Sequence, residues 1–272
     1  MTLAAGNGSR GPRRAGKGFG LAGFRYEGVV ALGGLAIVWQ IVSLFVPHFL
    51  FPSVPEIAAR LLAIFTSWKS IFDALATSGR ILAGLAGAFV LGIVLALPMA
   101  RSATFERYVS PLLNFNQGIP ALSWVVIAII WFRGIEFRIF FIMVMTTLPA
   151  FTLQILDSYR TMSKDLFEMT LAFRPTRRDL FRTLIWPTVL PGILTAWKVN
   201  LGNAARVVVV AELVGATGGV GYELLEQQQL FDMAGAVAWT LVLVLFVLVV
   251  QGIITLFETR ALRYRAFAEH AA

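Results

Sequence analysis

The chain has no cysteine, only two histidines among 272 residues, and just 14% charged residues. Without cysteine it has neither a disulfide framework nor a thiolate metal site. His48 and His270 lie towards opposite ends of the sequence, so neither a histidine-based metal centre nor a Ser/His/Asp arrangement is credible. Catalytic and metal-ligating residues are therefore expected to be absent. The shortage of charge carries more weight. A soluble domain clothes itself with about 25% charged residues, whereas this chain is 58% hydrophobic with a mean hydropathy of +0.77. Most of its surface is expected to face lipid.

The net charge of +8 does not point to nucleic acid. That reading needs a soluble basic face, and here the basic residues sit in short runs between apolar segments. Six such segments are predicted as membrane crossings: about 28–47, 79–100, 118–132, 137–156, 188–211 and 234–257. Several reach the ~20 residues that cross ~30 Å of hydrocarbon. Residues 53–77 differ, with Ile57, Leu61, Leu62, Phe65, Ile71, Phe72 and Leu75 near helical spacing among charged residues. They predict one amphipathic helix lying on the membrane surface or against the bundle. Residues 1–27, rich in Gly, Arg and Lys, lack a signal-peptide core and are read as a largely disordered cytoplasmic tail. Residues 28–259 are read as the membrane domain and 260–272 as a second cytoplasmic tail.

Charge bias sets the expected orientation. With six crossings, sixteen of the 23 Lys and Arg fall in the pieces on the side of the N-terminus and five on the other. Both termini are therefore expected inside. Gly84, Ala88 and Gly92 repeat at i, i+4, i+8 and predict close helix packing. Pro98, Pro120 and Pro149 predict kinks or interruptions.

One stretch breaks the apolar pattern: EMTLAFRPTRRDLFRTLIWPTVLPG, residues 168–192. Glu168 to Phe173 continues a short helix that starts near Ser163, and Pro175 breaks it. Thr176 caps a second helix with Asp179 reaching back, a variant of the capping box. Leu180, Phe181, Leu184 and Ile185 form its apolar side, and Pro187 and Pro191 are expected to end it.

This stretch resembles the EAA loop of permease subunits of bacterial ATP-binding-cassette (ABC) importers, whose pattern is E-A-A, three residues, G, nine residues, I, one residue, L-P. Glu168 takes the Glu position, Leu184 the Ile position and Pro187 the final proline. The likeness extends to GRILAGLAGAFVLGIVLALPMARS, GIPALSWVVIAIIWFRGIE, LPGILTAWKVNLGNA and VVVVAELVGATGGVGYELL, over about residues 50–262. It is to the nitrate, sulfonate, taurine and bicarbonate branch. The resemblance implies an all-α polytopic fold of the type I importer permease class, in the bacterial inner membrane. It implies coupling helices within about 158–187 that dock on a separate ATPase, with Asp165, Glu168, Met169, Arg174, Thr176, Arg177, Arg178 and Asp179 at the contact. Two ATPase subunits holding ATP and Mg, a second permease, identical or different, and a periplasmic or lipid-anchored solute-binding protein complete the implied assembly. No cofactor is expected in this chain. Met169 and Thr170 replace the two alanines, Trp186 the leucine, and Arg174 the glycine that permits a left-handed turn. A residue before proline prefers extended backbone, so a differently built turn is expected at Arg174.

The fifth apolar segment carries Lys198, Asn200, Asn203, Arg206 and Glu212. Ionisable groups at membrane depth face a pathway or a partner group. Asn200, Asn203, Arg206 and Glu212 are the candidate lining of a translocation pathway for a small anionic solute, while Lys198 is read as structural. For Arg206 a salt bridge to Glu212 or to the other permease stays open as the alternative, and for Glu212 a packing or gating role. Gly215 to Glu223, GATGGVGYE, lacks the Lys-Ser/Thr of a P-loop and reads as a flexible outer turn that meets a binding protein. An ion-gradient-driven transporter is the competing class, though it predicts internal repeats that the two halves do not show.

Overall fold

A computed structural model describes residues 26–262. Beyond Tyr26 and Glu27 at one end, and residues 260–262 at the other, the two expected tails lie outside the described residues. Every regular element among the described residues is helical: α1 Tyr26–Ser43, α2 Val54–Thr66, α3 Trp68–Arg101, α4 Ala103–Gln117, α5 Ala121–Trp131, α6 Ile135–Arg160, α7 Lys164–Ala172, α8 Arg177–Leu180, a π-turn Phe181–Ile185, α9 Trp186–Leu213, α10 Val220–Gln229 and α11 Met233–Ala261.

Four helices, α1, α3, α6 and α11, are long and apolar enough to cross a membrane, and α4 with α5 forms a further pair bent by 94°. The 28 residues of α9 reach roughly 42 Å, although Lys198, Arg206 and Glu212 lower its hydropathy. It contributes Ala196, Leu201, Ala204, Val208 and Ala211 to the same core as α3, α5 and α6. The six expected apolar segments correspond to α1, α3, α5, α6, α9 and α11, with α5 joined to α4 in the bent pair.

Lipid tails are as apolar as leucine, so close packing must hold membrane helices together. The small-residue face does this work along α3. A Cβ on Gly84 would stand 2.5 Å from Met143 Cβ, and one on Gly92 would stand 3.1 Å from Phe151 Cβ; both neighbours are on α6. Phe89, Phe151 and Trp197 meet edge-to-face at centroid separations of 5.4–5.7 Å and tie α3, α6 and α9 together.

Two expectations are corrected. The stretch 53–77 is not one surface helix. Ser67 leaves helical geometry (φ −89°, ψ 122°) and accepts a hydrogen bond from the Ser70 amide, capping α3. Residues 68–77 therefore belong to the long helix that includes the second crossing. The third segment is an eleven-residue helix, too short to cross alone, entered through the sharp bend at Gly118–Pro120. Of the three prolines, only Pro120 marks a break, for Pro98 and Pro149 lie inside continuous helices. Pro149 removes the amide that would bond the Met145 carbonyl. Asn116 of α4 supplies a replacement donor to that oxygen at 2.8 Å.

Candidate functional site

Three places gather polar residues. The first is the charged stretch, where local chemistry builds what the spacing predicts. Ser163 caps α7, accepting from the Leu166 amide. At Thr176 the capping box closes: its hydroxyl accepts from the Asp179 amide at 3.3 Å, and Asp179 Oδ2 accepts from the Thr176 amide at 3.3 Å and hydroxyl at 2.6 Å. Asp165, Glu168, Met169, Arg174, Thr176, Arg177, Arg178 and Asp179 are all exposed. Leu166, Met169 and Phe173, at i, i+3 and i+7 on one side of the α7 turn, are 50%, 57% and 80% exposed. This is an apolar stripe with acidic residues beside it, left uncovered by its own chain.

Arg174 departs from expectation in the opposite direction to the sequence argument. It adopts φ +49°, the left-handed conformation that glycine would take freely, despite the following proline. Holding a non-glycine residue there costs about 1–3 kcal/mol. Arg174→Gly is therefore expected to stabilise the loop by about 1 kcal/mol, seen as slower limited proteolysis between α7 and α8. Unchanged cleavage would show that the turn carries no strain.

Pro187 and Pro191 do not end the second helix either. The chain runs from α8 through the π-turn into α9, with the Trp186 amide bonding the Phe181 carbonyl, i to i+5. The wider turn at 181–185 lets the helix absorb the register change that Pro187, at the start of α9, would otherwise force into a break.

The second place is α9. Thr195, Val199, Asn203 and Arg206 are exposed at spacings of four, four and three, which is one helix face. Arg206 has no ion-pair partner among the described residues. Asn200 points inward instead, donating to Gln154 Oε1 at 3.1 Å and to the Ala196 carbonyl at 2.9 Å. Lys198 pairs with Glu258 of α11.

The third place is a buried clamp at the far end of α9. Glu212, whose side chain is wholly buried, accepts from Arg80 Nη1 at 2.7 Å, from the Thr77 hydroxyl at 2.8 Å and from the Gly221 amide at 2.8 Å. Arg80 also donates to Glu136 and to the Gly218 carbonyl. Asp73 accepts from the Gly219 amide, and Thr77 from that of Val220. The free amides at the start of α10 are thus satisfied by α3 and by Glu212. Gly219 sits at φ +115°, and a Cβ there would stand 2.6 Å from Glu212 Oε1, so only glycine fits. The run 215–223 is consequently a pinned turn leading into α10, with Gly219, Val220, Gly221 and Glu223 buried, rather than a flexible one. Burial pushes the Glu223 carboxyl above its usual range, against the pull of the Lys69 ammonium at 3.2 Å.

Residues 88–263 match the family described as "Binding-protein-dependent transport system inner membrane component". The chain belongs to this family. The formylaminopyrimidine transport permease protein of Halalkalibacterium halodurans is 31% identical over 206 residues, which are 75% of this chain and 82% of that protein. The taurine transport system permease protein of Escherichia coli is 25% identical over 207 residues, 71% and 74% of the two chains. The MetNI methionine ABC transporter, solved in inward-facing conformations, aligns with a TM-score of 0.54 at 22% identity, covering 73% of this chain and 98% of that one. That match shows the shared fold. This protein is accordingly an ABC importer permease subunit, a multi-pass membrane protein.

Within the permease, the structure separates what the sequence grouped. Asn203 and Arg206 share the exposed face of α9, whereas Asn200 and Glu212 are engaged inside the protomer. Arg206 and Glu212 do not pair, since Glu212 is held by Arg80, Thr77 and Gly221. The clamp residues Asp73, Thr77, Arg80 and Glu136 were not singled out from sequence. Arg80 does carry a signal, because a guanidinium at the start of an apolar run asks for a buried partner.

Proposed function

We propose that the permease forms the translocation pathway of an ATP-driven importer for a small anionic solute, handed over by a periplasmic or lipid-anchored binding protein. The loop 158–187 docks on a separate ATPase, and both termini face the cytoplasm. Two permease subunits, identical or different, face each other. Two ATPase subunits bind ATP and Mg, and their closure moves α7 and α8 so that the permease pair rocks between inward- and outward-open states. ATP hydrolysis belongs to the partners, and this chain is a transport subunit without an active site of its own.

The observation that carries the coupling role is the exposed stripe Leu166, Met169 and Phe173 beside Asp165 and Glu168 at one end of the bundle. An apolar stripe with a charged rim, outside the membrane core, is the signature of a protein interface. A mild-detergent pull-down of the tagged permease from its native membrane tests it. Capture of an ATPase carrying a P-loop is the expected result. A chain that emerges alone and still moves solute would favour a gradient-driven transporter.

Support for an anionic solute comes from Arg206. A cation on a lipid-facing helix surface costs about 2.5–3.5 kcal/mol at the bilayer centre, so this face of α9 is better placed along a watery path between the subunits. Arg206→Gln is expected to reduce uptake about tenfold while leaving the melting temperature of the purified permease unchanged. Full transport with lowered stability would instead make Arg206 a structural contact to the second permease.

A further inference from the structure

At the end of the bundle that carries the charged loop, α3, α6 and the π-turn leading into α9 leave an apolar cavity of about 340 Å³ between them. Its walls include Ile93 and Leu97 of α3, Ile155 of α6, and Phe181, Ile185 and Ile193. The π-turn shapes this wall: Phe181 and Trp186, five residues apart, come within 6.1 Å centroid to centroid on the cavity side. Two polar side chains join the lining, Arg101 and Tyr159. Arg101 ends α3 and Tyr159 is the penultimate residue of α6, so both sit where apolar helix gives way to the membrane surface, the level at which tyrosine settles.

The charges around the rim are unequal. Arg160, next to Tyr159, is committed to Glu106. The side chain of Arg101 has neither an ion-pair nor a hydrogen-bond partner among the described residues, and it is exposed. A guanidinium offers a fork of donors that matches a phosphate, and basic pockets between membrane helices at the surface select acidic headgroups. The apolar chamber beneath it has the chemistry of a hydrocarbon tail.

We propose that this cavity is a binding site for one acidic phospholipid, with an acyl chain between α3, α6 and α9 and its phosphate on Arg101. The site needs only that the chain spans a membrane, so it stands apart from the ATPase-coupling reading. It places lipid directly behind the loop 161–185.

The test uses the full-length permease in nanodiscs of equimolar phosphatidylglycerol and phosphatidylcholine, with a trace of either lipid carrying a photoreactive diazirine on its acyl tail. After irradiation, labelled peptides are mapped by mass spectrometry. The phosphatidylglycerol probe is expected to label the peptides holding Ile93, Ile155 and Ile193 about fivefold more than the phosphatidylcholine probe does, the preference that one basic residue near the surface confers. Label on Leu245 and Leu248 of α11, both exposed, should show no headgroup preference. Arg101→Gln should abolish the preference at the cavity while leaving tail labelling there. Ala100→Phe, which narrows the cavity, should lower labelling by both probes. Equal labelling by the two headgroups in the unaltered protein would overturn the proposal. Cavity labelling no stronger than that of α11 would also overturn it, as would cross-links from the cavity wall to a second permease copy.

Discussion

Arg80→Met is expected to be the most destabilising single change in the chain that leaves its apolar core intact. It keeps most of the side-chain volume but leaves Glu212, whose side chain is 0% exposed, without its cation. Breaking one partner of a buried ion pair costs about 3–5 kcal/mol, because an uncompensated charge remains. The same guanidinium bonds Glu136 at 2.6 Å, slightly shorter than its 2.7 Å contact to Glu212. Distance alone would rank Glu136 first. Exposure reverses that order, since the Glu136 side chain is 71% exposed and exposed pairs contribute only about 0–1 kcal/mol. In thermal denaturation of the detergent-purified permease, Arg80→Met should lower the melting temperature on the order of 10 °C, at about 2–4 °C per kcal/mol. Glu136→Gln should shift it by no more than a few degrees. Equal shifts from the two variants would mean that Glu212 is solvated in the assembled transporter and that the clamp does not hold the α9–α10 turn to α3.

That clamp also shows why part of this structure was legible in sequence and part was not. The charged loop was readable because its determinants are local. Ser163 caps three residues before Leu166, and Thr176 and Asp179 are three apart, so a short window holds the whole argument. The clamp joins Asp73 to Gly219 and Thr77 to Glu212, partners separated by 146 and 135 residues. No local pattern announces such a pairing. Gly215–Glu223 accordingly looked like a loose glycine-rich turn, when its glycines serve close approach: a Cβ on Gly221 would stand 2.6 Å from both Glu212 Cβ and the Val209 carbonyl.

At the prolines, local preference is modified by tertiary structure. Pro149 predicts a kink or an interruption; α6 runs on through it, and the Asn116 amide supplies the donor that the missing amide leaves the Met145 carbonyl without. Pro187 was read as a stop, but a five-residue π-turn carries the helix through. At Arg174 the left-handed turn prevails over the extended bias of a residue before proline. The division of 53–77 at Ser67 did have a sequence signal, a serine three residues before Ser70, but the unbroken apolar periodicity concealed it. On α9, Asn200, Asn203 and Arg206 were grouped as candidate pathway lining. Only the fold shows that the first faces Gln154 while the other two stand on the open side.

Reversing the charge at Glu168 is expected to disable transport without disturbing the permease itself. Glu168 is exposed on α7 and has no hydrogen-bond or ion-pair partner among the described residues, so Glu168→Arg should change stability by no more than about 0.5 kcal/mol. Membrane insertion and melting temperature should match those of the unaltered protein. The loop already carries Arg174, Arg177, Arg178 and Arg182, and a further arginine places like charge where the proposed ATPase groove meets Asp165 and Glu168. Wrong-sign charge at an interface costs several kcal/mol, and each 1.4 kcal/mol is about tenfold in affinity. Capture of the ATPase should therefore fall on the order of a hundredfold, and solute uptake should fall with it. Glu168→Gln removes attraction without adding repulsion, and should retain a measurable fraction of both. The three proteins belong in one experiment, reading melting temperature, ATPase capture and uptake together. If Glu168→Arg keeps its ATPase and its uptake, α7 is not the coupling element, and the exposed stripe of Leu166, Met169 and Phe173 must serve another partner. If all three readouts fall together, Glu168 holds the fold and says nothing about coupling. Loss of capture and uptake at an unchanged melting temperature is the pattern that only a docking residue produces.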